Sequence, residues 1–354
     1  MPPLGSVGDH YPTRSAPSRR RSHARSALEQ EPAGRRRSDR THGANRPPPI
    51  RWRRTAGVPP ALSSDDPPLD PRRLRGEVRG LAIIRIDDPL DLRIADFRDV
   101  RERDLAGRRG GFIAEGEVVL NVLARGGRYR VRALLIAEKR ITKLAPLIAA
   151  FGDEVDVYAA GQEVMDAIAG FPIHRGVLAH GERAGPLSPA ALLAAAGPRA
   201  LVVALFGIAN HDNIGGIFRN AAAFGVAGVL LDSTCCDPLY RKAIRVSVGA
   251  TLSVPFARLG PDDDAVELLR AQGFTPLALS PGGRTPLSAL SRPARAAVLL
   301  GAEGPGLPAA ILARADSIAI PMAGAFDSLN VATTSGIVLH HLASVPALTW
   351  ARRR

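Results

Sequence analysis

The sequence predicts an α/β fold whose C-terminal half is built on a parallel sheet, and three observations carry that expectation. Short apolar runs bounded by Gly or Pro recur at strand length, at Leu201 to Phe206, Gly228 to Leu231, Leu252 to Phe256, Thr275 to Leu279, Ala297 to Leu300 and Ser317 to Ile320. Helical patterns fall between them, near 238–245, 262–272 and 308–313, as crossovers of a parallel sheet require. Finally, the stretch after the last strand breaks at Pro321 and Gly324 and becomes a helix with almost no charge. Val331, Ser335, Val338 and Leu342 form one stripe of that helix, and Ala332, Gly336, Leu339 and Ala343 form the next. A helix that is apolar or small on several faces must be covered on several faces, so it is expected at the centre of its domain and in a dimer contact.

At 354 residues, 45% of them hydrophobic, the chain has room for about two domains. Its formal charge of +13 is uneven, because residues 1–76 hold 16 Arg against 7 acidic residues, a net +9. The remainder carries only +4, so total charge alone does not argue for nucleic-acid binding. Residues 1–77 are also rich in Pro and Ser and poor in aliphatic runs, which predicts a disordered basic tail. It reads either as an arm that adds affinity for RNA or as upstream reading frame translated from a GC-rich genome. Cys235 and Cys236 are the only cysteines, and they are adjacent, so no disulfide framework or Cys-based metal site is expected. That usage suits a reducing cytoplasm. No apolar run is long enough to span a bilayer, and no secretory signal opens the chain.

Residues 78–183 read as a small three-layer α/β domain. A strand is expected around Phe112 to Glu117, a helix on Val118, Val119, Val122 and Leu123, a strand at Val131 to Ile136, and a helix at Thr142 to Phe151. A strand at Val155 to Tyr158, a helix at Gln162 to Ile168 and a last strand at His174 to Ala179 complete it. Residues 184–199 form a linker with one short helix, capped by Ser188 and opened by Pro189. The second domain covers 200–348.

Three stretches of this second domain are candidate site loops. After the first strand, Asn210-His211-Asp212-Asn213 leads into a helix whose first turn contains Gly215 and Gly216. Each Gly costs about 1 kcal/mol relative to Ala there, which suggests that something approaches the backbone closely; Asp212 or Asn213 is expected to cap the helix. At two other strand ends, Gly301-Ala302-Glu303-Gly304-Pro305-Gly306 and the break from Ile320 to Leu329 allow the main chain to pass close to a ligand. A dinucleotide site is disfavoured because no Gly-x-Gly-x-x-Gly follows the first strand.

Three stretches taken in order, NHDNIGGIFRNAAAFG from Asn210, LLGAEGPGL from Leu299 and IPMAGAFDSLNVA from Ile320, resemble the SpoU/TrmH branch of the SPOUT RNA methyltransferases. The resemblance implies a Rossmann-like α/β domain with a C-terminal trefoil knot that transfers a methyl group from S-adenosylmethionine to a ribose 2′-hydroxyl. It implies catalytic roles for Asn213, Arg219, Glu303, Ser328 and Asn330, and cofactor contacts by Gly301, Ile320, Leu329, Met322 and Ser280. It implies a homodimer. No metal-ligand cluster stands out among the residues, so no metal is expected. The stretches FIAEGEVVLNVL and HRGVLA are similar to the substrate-recognition domain of rRNA members, which points to rRNA ahead of tRNA. Arg101, Arg108, Arg109, Arg128 and Arg241 are then the candidate phosphate contacts, each weighed against a merely solvated charge. Arg219 is read as a clamp on phosphate and developing alkoxide, since a charged guanidinium has no acceptor for a proton. The alternatives are a non-catalytic RNA-binding or ribosome assembly factor on the same fold, and a dinucleotide oxidoreductase.

Overall fold

In the computed structural model the described residues are 82–98, 110–169, 176–323 and 328–344. The expected tail at 1–77 lies outside them, as do Arg101, Arg108 and Arg109. All described residues belong to one compact unit within 54–354.

The first sheet has five strands. Its elements run β1 (Ile83–Ile86), β2 (Gly111–Glu115), α1 (Glu117–Gly126), β3 (Val131–Ala137), α2 (Ile141–Ala149), β4 (Asp156–Ala160), α3 (Gln162–Ala169) and β5 (Val177–Glu182). The order across the sheet is β1-β4-β3-β5-β2, with β1, β4 and β3 parallel and β5 antiparallel to both β3 and β2. The sequence reading anticipated each of these elements except β1, whose four residues alternate too briefly to stand out.

The second sheet has seven strands in the order β10-β12-β9-β11-β6-β7-β8, all parallel to their neighbours. Its path is α4 (Pro189–Ala194), β6 (Ala200–Phe206), α5 (His211–Ala223), β7 (Gly228–Leu231), α6 (Arg241–Val246), α7 (Ala250–Ser253) and β8 (Phe256–Arg258). It continues through α8 (Ala265–Ala271), β9 (Thr275–Leu279), β10 (Thr285–Pro286), β11 (Arg295–Gly301), α9 (Ala309–Leu312), β12 (Asp316–Ala319) and α10 (Val331–Ser344). All seven residues of β6 are buried, because β6 lies between β11 and β7 with helices over both faces. A strand in that position reads as a continuous apolar run with no alternation, as Leu201 to Phe206 does.

One strand is displaced from expectation. Leu252 to Phe256 does not form a strand, because the chain is still helical at Leu252 and Ser253. Gly249 takes φ 84° and starts the short helix α7, Ser247 accepts from the Thr251 amide at 3.3 Å, and only after Pro255 does the chain extend as Phe256–Arg258. The apolar Leu252 is buried all the same, but in a cluster with Phe112, Val119, Leu120 and Leu123 of the first sheet's layer. Leu239 and Ile244 join the same cluster.

An ion pair crosses the same boundary. Arg241 Nη2 donates to Glu115 Oε2 at 2.9 Å, with the two side chains only 10% and 6% exposed. Arg241, expected on RNA, is therefore turned inward and ties α6 to β2, and Glu115 is its counter-ion.

The final helix is covered as its pattern requires. Val331, Ser335, Val338, Leu339 and Leu342 are buried. Gly216 and Gly215 explain the contact on the α5 side: a Cβ on Gly216 would lie 2.7 Å from the Ala332 Cβ, and one on Gly215 would lie 2.8 Å from the Val246 Cβ. The close approach foreseen at these glycines is that of α10 and α6.

Candidate active site

The carboxyl ends of β9, β11 and β12 face a cavity of about 430 Å³, closed by the first turn of α10. This is where ligands bind in open parallel sheets, because successive crossovers diverge there. Its size is that of a small-molecule site. Leu279, Leu300, Ile320, Leu329 and Val331 supply apolar wall, and Gly301, Gly304 and Gly306 supply bare backbone.

Gly301 is required by the chain itself. A Cβ there would lie 2.2 Å from the Gly306 carbonyl carbon, since the loop doubles back through an antiparallel bridge between Ala302 and Gly306. Gly304 and Gly306 hold φ of 88° and 70°, in the left-handed region that side chains disfavour. The loop so folded raises Glu303 to the rim, where it is exposed.

Glu303 meets two residues far from it in sequence. Its Oε1 accepts from Asn213 Nδ2 at 3.0 Å and from Asn330 Nδ2 at 2.9 Å, and Asn330 Nδ2 also donates to Asn213 Oδ1 at 2.9 Å. Asn330 is a helix cap as well: its Oδ1 accepts from the amides of Ala332 at 3.0 Å and Thr333 at 3.2 Å. Asn213 is not a cap. Asn210 takes that role on α5, accepting from the Asp212 amide at 2.8 Å, and so Asn213 sits within the first turn with its amide directed at Glu303.

Eight of the ten residues expected at the site line this cavity. They are Glu303, Ser328 and Asn330 from the reacting group and Gly301, Ile320, Leu329, Met322 and Ser280 from the cofactor group. Asn213 reaches its rim through Glu303 and Asn330. Arg219 does not line it: the side chain is exposed on α5 and makes no hydrogen bond or ion pair among the described residues. The residues 324–327 of the same loop lie outside the described chain. Thr334 and Pro281 also line the cavity and were not foreseen, because a Thr one turn into a helix and a Pro after a strand carry no chemical signal in sequence.

The electrostatics of the described lining favour a cation over an anion. Glu303 is its one charged residue, and no Lys, Arg or His is among the rest. A phosphate or dinucleotide ligand would find no counter-charge there, whereas a positively charged ligand would find a carboxylate. Among the described residues no group of three or more His, Cys, Asp or Glu is placed to hold a metal ion.

Neighbouring groups are structural. His211 stacks on Tyr240 with ring centroids 3.8 Å apart, and its pKa is lowered by burial first and by the Lys242 charge second. The Cys235 thiol is pushed up to about 12 and that of Cys236 to about 11, both chiefly by burial, so neither is a ready nucleophile. Arg128 donates to the Val254 carbonyl at 3.2 Å and lies over the Phe256 ring at 5.4 Å, in a second cavity described below.

Residues 200–340 match the profile of the SpoU rRNA Methylase family. An uncharacterized tRNA/rRNA methyltransferase of Mycobacterium bovis is 39% identical over 271 residues, covering 74% of this chain and 92% of its own length. Among solved structures, the AdoMet-bound rRNA methyltransferase of Sinorhizobium meliloti superposes with a TM-score of 0.63 at 25% identity, over 73% of this chain and 97% of that one. A putative RNA methyltransferase of the TrmH family from Porphyromonas gingivalis superposes with a TM-score of 0.60 at 25% identity, over 72% and 98%.

Proposed function

This chain belongs to the SpoU rRNA methylase family, and from that premise we propose that it methylates a ribose 2′-hydroxyl of RNA, in rRNA ahead of tRNA. It is an RNA methyltransferase and S-adenosylmethionine is its methyl donor. The observation that carries the reading is the cavity at the ends of β9, β11 and β12, which offers apolar wall, bare backbone and a single carboxylate. Adenosine fits the apolar wall and the backbone of Gly301, Ile320 and Leu329, with Met322 and Ser280 at its edge. The donor's positive charge suits Glu303. Bound there, it supplies an electrophilic methyl group on a charged sulfur.

The protein's part is to position and to stabilise. Glu303, held by the two asparagine amides, keeps one orientation; Asn213 and Asn330 in turn keep theirs, and Ser328 stands on the same rim. With the donor bound, these groups would position the ribose 2′-hydroxyl beside the methyl group that the donor supplies. Arg219, exposed on α5 outside the cavity lining, holds an RNA phosphate. The hydroxyl proton leaves to water at the open mouth, since the guanidinium cannot accept it.

The same reading includes a trefoil knot at the C-terminal loops, a homodimer contact through α10, and RNA recognition by the first sheet's layer. Methyl-transfer assays with tritiated S-adenosylmethionine on rRNA and tRNA, followed by mapping of the product, test it. A 2′-O-methylated nucleotide in rRNA supports the proposal. A base-methylated product refutes the ribose assignment, label confined to tRNA refutes the rRNA assignment, and no binding of S-adenosylmethionine by calorimetry refutes the whole reading.

A further inference from the structure

A second cavity, of about 320 Å³, lies where the end of β5 and the linker after it meet β8 and the loop leading to α6. It does not share a residue with the donor cavity. Three arginines, Arg128, Arg183 and Arg258, line it against a single acid, Asp237, which is already paired with Arg183. Arg258 is anchored on the carbonyls of Cys235 at 3.0 Å and Cys236 at 3.3 Å, so its charge is fixed at the edge of the cavity. Arg128 is fixed by Val254 and by its stacking over Phe256. Guanidinium groups anchored through one or two donors keep others for a ligand.

The walls between these charges are aromatic. Phe256 and Tyr129 both line the cavity, and Tyr129 is 7% exposed. Its hydroxyl makes no hydrogen bond among the described residues and is not one of the enclosed polar atoms, so it is open to a ligand or to water. Arg128, Arg183 and Asp237 are the charges that act on it, all three from the cavity lining. A cavity with excess positive charge, stacking surface and an unpaired hydroxyl matches one nucleotide better than it matches an apolar molecule or a cation.

We infer that this cavity is an RNA subsite: it holds one single-stranded nucleotide of the substrate, phosphate on the arginines and base against Phe256 and Tyr129. The inference rests on the proposed RNA methyltransferase function. It adds a contact that neither the donor cavity nor the Asn213, Glu303 and Asn330 triangle provides. The place along the sheet agrees, because the loop that bears Asp237 also carries Tyr240, which stacks on His211 at the start of the helix holding Asn213. A strand of RNA entering here runs along the carboxyl edge of the sheet towards the reacting ribose.

The test uses the full chain and two variants that leave the charges in place. Tyr129→Phe removes only the hydroxyl, and Ala184→Trp fills the mouth from an exposed position. Binding of a fluorescent single-stranded RNA of mixed sequence is measured by anisotropy across a salt series, and S-adenosylmethionine binding by calorimetry. Ala184→Trp is expected to weaken RNA binding by about 10-fold or more, the loss of one stacked nucleotide, and to lower the salt slope by about one. Tyr129→Phe is expected to weaken it by about 3-fold or more. Donor binding stays at the wild-type level in both. RNA affinity unchanged in both variants overturns the inference while leaving the function intact. Loss of donor binding in the wild type overturns the function instead. Saturable binding of adenosine monophosphate that Ala184→Trp abolishes, with RNA affinity unchanged, also overturns the inference, by assigning the cavity to a free nucleotide. If Ala184→Trp fails to fold by circular dichroism, Tyr129→Phe decides.

Discussion

Asn330→Asp separates the two things that Asn330 does. The wild-type side chain caps α10 through its Oδ1, which accepts from Ala332 and Thr333, and joins Glu303 to Asn213 through its Nδ2. Aspartate keeps an acceptor for the cap, and a carboxylate is favoured at a helix N-terminus. It loses both donor contacts and places a second carboxylate at the 2.9 Å separation where an N–H···O bond stood. Each lost hydrogen bond is worth about 0.5–1.5 kcal/mol net, and like charges in a half-exposed site add roughly another 1 kcal/mol. The carboxylate's favourable place at the helix N-terminus returns about 0.3–1 kcal/mol, leaving a destabilisation of about 1–4 kcal/mol, whereas Asn330→Ala loses the same two contacts and about 1 kcal/mol of capping, about 2–4 kcal/mol together. Urea unfolding and single-turnover methyl transfer on the same samples provide the assay. Asn330→Asp is expected to unfold at a higher urea concentration than Asn330→Ala and yet to lose methyl transfer by about 100-fold or more. Wild-type turnover by Asn330→Asp would refute the role of the Nδ2 contacts, and equal stability of the two variants would refute the capping role.

Further outcomes follow from single contacts. Glu115→Ala leaves Arg241, 10% exposed, without its carboxylate and is expected to cost about 3–5 kcal/mol in chemical denaturation. The double variant Glu115→Met/Arg241→Met is expected to recover most of that, because no uncompensated charge is left buried. Gly301→Ala forces a Cβ to 2.2 Å from backbone at Gly306, so the 302–306 loop must open; calorimetry is expected to show loss of S-adenosylmethionine binding. Burial, and then the Lys242 charge, hold the His211 pKa below its ordinary value of about 6.5, so the folded state resists its protonation. Its contribution to stability is therefore present above 6.5 and lost as pH falls through the lower folded value. Unfolding curves at about pH 7 and about pH 5 are expected to differ less in His211→Gln than in the wild type.

What the sequence by itself determined is local. The alternation of apolar runs and helices gave the parallel sheet, because strand burial and helix crossovers write their periods directly into neighbouring residues. The glycine-broken turns at Gly301 to Gly306 and after Ile320 were legible for the same reason, since only particular residues tolerate those backbone paths. The tertiary structure alone decided who meets whom. Glu303 and Asn213 are 90 positions apart and Asn330 and Asn213 are 117 apart, and nothing in either neighbourhood specifies that three amide and carboxylate groups will share one set of hydrogen bonds. Capping was expected from Asp212 or Asn213, and the cap is Asn210, because the helix starts one residue after it. Arg241 and Arg128 looked alike in sequence as surface cations; burial against Glu115 in one case and against Phe256 in the other gave them different surroundings. Charge identity is a property of a residue, but the value of a charge is set by what is packed against it, and that is decided only when distant segments close on one another.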